Sequence, residues 1–348
     1  MTGRDRRLEA PHRRLEQGPR VLEKAAVVAY RATAGLIGRL PSGPSAAVIG
    51  RASQLSYLAW PTKRRWSNAN FSHVLGLPPN HREVRRLALR AYRAYARYLV
   101  EVMRLPSYPP ERLAGLVAST ELDAIEPIWR ESPGGLIFVL GHIGNNEAVA
   151  AGVASRGWPI SAVADDSAFP EMFELFRRQR EGWGVHIIPW RNVREIFAVL
   201  RRREMLALLV DWGYRPDGIP VRLFDAWTTL PAGPATLAAK TRSRIMPVTI
   251  RRIDNDRFHL AWGSSFEVPS TDPADLQRAT QRIADALEAS IGAAPEQWYS
   301  FKPVWPASDQ ESAALERRAA AMLAGASPPA ADPAPAASQA STAVAPSM

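Results

Sequence analysis

Residues 135–147 read Gly135-Leu136-Ile137-Phe138-Val139-Leu140-Gly141-His142-Ile143-Gly144-Asn145-Asn146-Glu147. A five-residue apolar run between glycines has the length and pattern of a buried strand. The Gly-His-x-Gly-Asn turn ends it, and the small residues Ala148 to Ala154 then continue as a helix that begins at a carboxylate. A strand, a glycine-bounded turn and a helix in this order open an α/β unit. In open α/β sheets the chemistry collects at the carboxyl ends of the strands, which is where His142 stands.

Outward from this stretch the same rhythm repeats. Strands are expected at residues 160–164, 185–188 and 205–210, separated by helices over 147–155, 170–182 and 193–203. Short alternating units of this kind predict an αβα sandwich with a mainly parallel central sheet. A further strand at 221–224 leads through Pro231-Ala232-Gly233-Pro234 into a helix over 235–241. Strands at 245–250 and 258–262 follow, then a helix over 273–291. The expected organisation is a disordered basic N-terminus (1–20), a helical region (21–110), the α/β domain (111–306), a C-terminal helix (307–325) and a disordered Ala/Pro-rich tail (326–348).

Within the helical region, the 81–104 stretch is the clearest amphipathic helix. Val84, Leu87, Ala91, Tyr95, Tyr98 and Val102 share one face, and Arg82, Arg86, Arg90, Arg93, Arg97 and Arg104 fall within roughly an 80° arc opposite. Such a stripe is either a solvated face or one that meets an anionic surface. The whole chain carries 44 Lys+Arg against 34 Asp+Glu, a formal +10 that suits polyanionic partners. It has no cysteine, so disulfides, thiolate metal sites and a thiol nucleophile are excluded. No run reaches the roughly 18 apolar residues of a membrane span, and the first twenty residues lack the apolar core of a signal peptide.

His142 is the leading candidate for chemistry. Gly141 and Gly144 leave its imidazole uncrowded, and Glu147 is close enough in sequence to accept a hydrogen bond from one ring nitrogen, freeing the other to take a proton. The backbone N–H groups near Gly144 and Asn145 lie at a helix start, where negative charge is favoured. A second cluster, Asp211-Trp212-Gly213-Tyr214-Arg215, again follows a strand. Either Asp211 caps a turn and Arg215 is solvated, or Asp211 holds Arg215 against a phosphate or an oxyanion. Pro231 and Gly233 belong to a rigid segment that would line a tunnel or simply form a turn. Serine-hydrolase, P-loop and dinucleotide-binding signatures are absent, and His12, His73, His81, His186 and His259 show no metal-ligand spacing. The charge alone suggests nucleic acid, but no nucleic-acid-binding motif accompanies it.

The motif Gly141-His142-Ile143-Gly144-Asn145-Asn146-Glu147 resembles the Gly-His-x-Gly-Asn-Trp-Glu/Asp motif of the lipid A biosynthesis acyltransferases and of their relatives, the phosphatidylinositol mannoside acyltransferases. Asn146 departs from the usual Trp. Lys63-Arg64-Arg65-Trp66 with Asn68 and Phe71, the Asp211–Gly218 block, Leu230–Ala235, Met246-Pro247-Val248 and Pro295–Tyr299 are similar to further family blocks in the same order, over roughly residues 20–306. The resemblance implies an enzyme that moves an acyl chain from an acyl-CoA or acyl carrier protein thioester to a hydroxyl of a membrane glycolipid, with no cofactor and no metal. It further implies a peripheral position on the cytoplasmic face of the inner membrane, against its anionic surface, with residues 21–110 as the attaching region. His142 would be the general base and Glu147 its orienting partner, in the His-x4-Glu manner. Gly144, Asn145, Asp211, Arg215, Pro231 and Gly233 would contact substrate. A lysophospholipid acyltransferase is the alternative enzyme; a nucleic-acid-binding protein and a catalytically dead membrane scaffold are the alternatives from other classes.

Overall fold

The apolar run at 136–140 forms strand β1 (Leu136–Leu140) at the centre of a six-stranded sheet. A computed structural model describes residues 10–118, 122–166, 169–254 and 257–325; the expected disordered tail from 326 lies outside them. The other strands are β2 (Ile160–Ala164), β3 (Val185–Pro189), β4 (Met205–Leu209), β7 (Arg244–Arg252) and β8 (Phe258–Trp262), in the spatial order β3-β2-β4-β1-β7-β8. All neighbours are parallel except β7 and β8. Leu136, Ile137 and Val139 are almost wholly inaccessible. That burial is why β1 reads as an unbroken apolar run rather than an alternating one.

Helices α7 (Asn146–Ala154), α8 (Pro170–Glu181), α9 (Val193–Arg201), α10 (Gly233–Thr241) and α11 (Pro273–Ala293) pack on the sheet. The short α5 (Pro110–Ala114) and α6 (Ile125–Glu131) precede it, and α12 (Asp309–Leu323) follows. The strand expected at 221–224 does not join the sheet. It is β5 (Ile219–Leu223) of a separate antiparallel hairpin with β6 (Ala226–Leu230). Phe224 and Asp225 make the turn with φ values of 47° and 58°. Two successive positive φ angles suit a tight hairpin, but the usual glycine is missing, so the sequence hides the turn.

Four helices precede the sheet: α1 (Ala10–Arg39), α2 (Ser42–Ala59), α3 (Pro61–Leu75) and α4 (Arg82–Arg104). Helix α1 starts at Ala10, within the stretch expected to be disordered, and residues 1–9 lie outside the described residues. The predicted face of α4 is buried at Val84, Leu87, Ala91 and Val102. Its arginine stripe divides. Arg82, Arg86, Arg90 and Arg93 are exposed. Arg97 instead pairs with Glu101, and Arg104 donates to the carbonyls of Ile37 and Leu40 at the end of α1. Arg97 therefore braces its own helix, and Arg104 ties α4 to the end of α1.

Helix α2 lies along α4, where Ser53 Oγ donates to the Tyr92 carbonyl at 2.9 Å. Helix α3 reaches the C-terminal side of the domain. Phe71 packs edge-on against Trp298 at 5.9 Å, and both are fully buried. Beside it Asn70 donates to the carbonyls of Ser300 (3.1 Å) and Lys302 (2.7 Å) and accepts from the Val304 N–H. One buried amide thus fixes the extended 300–304 segment that borders the site.

Candidate active site

The register of two neighbouring strands decides what His142 meets. Strands β1 and β4 run parallel with Leu140 opposite Leu209. Two residues beyond each strand end, His142 and Asp211 therefore emerge side by side. The His142 Nδ1 stands 2.6 Å from Asp211 Oδ1, and the His142 backbone N–H donates to Asp211 Oδ2 at 2.9 Å. Trp298 Nε1 donates to the same Oδ2 at 2.9 Å. A side chain at Gly141 would press on this carboxylate: an added Cβ would lie 3.1 Å from Asp211 Oδ2 and 2.7 Å from Leu287 Cδ1.

The Asp211 side chain is 1% exposed. Burial alone pushes its carboxyl upward, but the charge of His142 and the hydrogen bonds from His142 and Trp298 outweigh that. The group is held below the ordinary carboxylate range. An ionised Asp211 accepts from Nδ1–H, which assigns the proton to Nδ1 and leaves the lone pair on Nε2.

The hydrogen bond expected from His142 to Glu147 is not made. Glu147 is the second residue of α7, and its carboxylate is gripped by Arg180 of α8, with Nε donating at 2.9 and 3.1 Å and Nη2 also bonded. Both side chains are largely buried. The reason is local geometry. Gly144 has φ +69°, a conformation open to glycine, and Asn145 caps α7 by accepting from the Ala148 N–H at 2.9 Å. That turn aims the helix start, and Glu147 with it, at α8.

The turn is also anchored from behind. The Ile143 N–H donates to the Gly141 carbonyl and the Gly144 N–H to the Gln297 carbonyl, while the Tyr299 N–H donates to the His142 carbonyl. Asn145 Nδ2 donates to Glu101, which also pairs with Arg97 and Arg252. Gly144 and Asn145 therefore build the turn, and Gly144 also lines the pocket that holds His142.

Arg215 is not held by Asp211. It pairs with Asp217 at 3.0 Å, and both side chains are mostly exposed. Pro231 and Gly233 are exposed, and neither lines the pocket that holds His142. An added Cβ on Gly233 would meet nothing within 4 Å. Their segment leads from β6 into the start of α10.

That pocket has a volume of about 430 Å³, within the roughly 300–1,000 Å³ of small-molecule sites. Its walls are mainly apolar: Ile49 and Ala52 of α2, Tyr92, Tyr95 and Leu99 of α4, and Phe301. His142, Asp211, Trp212 and Asn146 come to the same cavity. Asn146 Nδ2 donates to the Gly141 carbonyl at 3.2 Å, and its Oδ1 is buried without a partner. Among the described residues no group of His, Asp and Glu side chains is arranged to hold a metal ion. An oriented imidazole, with its free nitrogen in an apolar cleft, is arranged to take up a proton.

The sequence reading missed Trp298 and Arg180 as parts of this arrangement. The signal for Trp298 was its block at 295–299, similar to a family block; Arg180 carried none, because only tertiary packing brings α8 to α7.

Residues 20–306 match the family model of the bacterial lipid A biosynthesis acyltransferases. A phosphatidylinositol mannoside acyltransferase of Mycolicibacterium smegmatis is 28% identical over 297 residues, covering 82% of this chain and 94% of that protein. Proteins of the same name from two strains of Mycobacterium tuberculosis are each 27% identical over 259 residues, covering 72% of this chain and 79% of theirs.

Proposed function

Because the chain belongs to the bacterial lipid A biosynthesis acyltransferase family and is an O-acyltransferase, we propose that it acylates a hydroxyl of a membrane glycolipid of the phosphatidylinositol mannoside type. The donor is an acyl-CoA or acyl carrier protein thioester. The acceptor class rests on the relatives' names; the chemistry rests on one observation, the 2.6 Å contact between His142 and Asp211 in the wall of an apolar pocket.

His142 Nε2 takes the proton as the acceptor oxygen attacks the thioester carbonyl. The C–O bond forms, the C–S bond breaks, and the proton passes from the imidazolium to the departing thiolate. Asp211 fixes the tautomer and stabilises the imidazolium, as a buried carboxylate does for other catalytic histidines. The apolar walls from α2 and α4 receive the acyl chain. Asn146 Oδ1 offers an acceptor for a neighbouring acceptor hydroxyl, and Glu147 with Arg180 holds α7 and α8 in place.

The N-terminal helices carry the enzyme to its substrate. Val28 and Leu36 of α1 and Val48, Leu55 and Leu58 of α2 are 59–69% exposed. No helix among the described residues is long and apolar enough to cross a membrane. An apolar stripe flanked by arginines suits peripheral attachment to an anionic surface.

The test is mass spectrometry of membrane glycolipids from cells that make the wild type or His142→Ala. Acylated product with the wild type and none with the variant is expected. Equal product from both would remove His142 from the chemistry, and acylation of lysophospholipid alone would favour a glycerolipid acyltransferase.

A further inference from the structure

Two lysines from distant parts of the chain, Lys63 of α3 and Lys302 after the Trp298–Ser300 segment, line the same pocket as His142. Each is only half-buried, and each lies over an indole: Lys63 Nζ is 4.8 Å from the Trp66 ring, and Lys302 Nζ is 3.9 Å from the Trp212 ring. Trp212 also leans on the His142 imidazole, with ring centres 5.7 Å apart. The same indole therefore touches the base and one ammonium group. The carboxylate lining this pocket, Asp211, is already taken by His142 and Trp298. Burial pushes both ammonium groups below the usual lysine range; for Lys302 the charge of Lys63 adds to this, and Asp165 acts against it.

Two like charges gathered at a mostly apolar cleft are unfavourable unless an anion joins them. The placement is not incidental to the fold, since Asn70 ties the Lys302 backbone to α3, the helix that carries Lys63. Each Nζ rests over the face of an indole, which orients the ammonium group without supplying it an anion. We infer that Lys63 and Lys302 form a phosphate-binding clamp in the wall of the pocket that holds His142, gripping a substrate phosphate beside that imidazole. This rests on the acyltransferase reading above. The phosphate belongs either to the donor, whose coenzyme or carrier arm bears phosphate esters, or to the phosphodiester of the acceptor headgroup.

The experiment compares wild type, Lys63→Met/Lys302→Met and Lys63→Arg/Lys302→Arg, each checked for an unchanged melting curve. Transfer is measured in two arms. One sets acyl-CoA against the acyl thioester of N-acetylcysteamine, which has no phosphate. The other sets phosphatidylinositol mannoside against an alkyl mannoside. The Met variant is expected to raise KM roughly tenfold or more for the phosphate-bearing member of one arm, which identifies the source, with the arginine variant close to wild type. The phosphate-free member of that arm is expected to be unaffected. Equal losses with and without phosphate in both arms, no loss at all, or weakened binding to anionic vesicles with KM unchanged would each overturn the clamp. Failure of the wild type to transfer from any thioester would instead overturn the acyltransferase reading.

Discussion

A carboxylate 69 residues further along the chain orients the imidazole of His142, while the acid five residues away in the same motif is turned to Arg180. The two acids therefore predict different failures. Glu147→Gln leaves a buried guanidinium without its charge partner, which should cost about 3–5 kcal/mol of stability. Adding Arg180→Met should restore much of that loss, as read by the melting temperatures of the single and double variants. Asp211 carries its own pH signature. Its folded-state pKa is depressed below the ordinary aspartate value of 3.8. Its ionised form therefore stabilises the fold above about pH 4, and the contribution disappears as pH falls through the folded value. Denaturant titrations should show the stability gap between wild type and Asp211→Asn level at neutral pH and narrowing in acid. His142 was legible from its strand-end position; the choice between acids was not. Sequence spacing favours the nearer acid, and only the register of β1 against β4 brings Asp211 alongside.

At the scale of elements, the turn between β1 and α7 bears the tightest constraint. A Cβ on Gly144 would lie 2.6 Å from the Ile250 carbonyl, at a φ of +69°. Gly144→Ala should destabilise by roughly 1–3 kcal/mol and slow transfer as well, measured by chemical denaturation and turnover on one preparation. Asn70 gives a second handle. Asn70→Ala strips partners from the 300–304 segment, costs about 1–3 kcal/mol, and should raise the substrate KM more than it lowers kcat, because Phe301 and Lys302 border the pocket. The alternating strands and helices from 136 to 210 were readable because each is a short apolar or amphipathic run. The hairpin of β5 and β6 was not, since Phe224 and Asp225 take left-handed angles without glycine. Nor did the arginine stripe of α4 disclose that Arg97 and Arg104 turn inward, as periodicity reports a direction and not a neighbour.

Across the whole molecule, the helices ahead of the sheet supply one wall of the pocket and an outward apolar stripe. Residues Val48, Arg51, Leu55 and Leu58 share a side of α2, while Ile49, Ala52, Ser53 and Ser56 line the pocket. If α2 is the element that meets the bilayer, as proposed, it also shapes the pocket, so that lipid acceptor and apolar groove would meet at one surface. Leu55→Glu/Leu58→Glu should reduce co-sedimentation with anionic vesicles roughly tenfold or more without lowering the melting temperature. Unchanged co-sedimentation would place the contact elsewhere. The most direct measurement is single-turnover acyl transfer by Asp211→Asn and Glu147→Gln side by side, each normalised to its folded fraction. The His142–Asp211 pairing predicts a loss of roughly 10²–10⁴-fold for Asp211→Asn and a rate within a few-fold of wild type for folded Glu147→Gln. The reverse order, with Glu147→Gln inert and Asp211→Asn active, would contradict it.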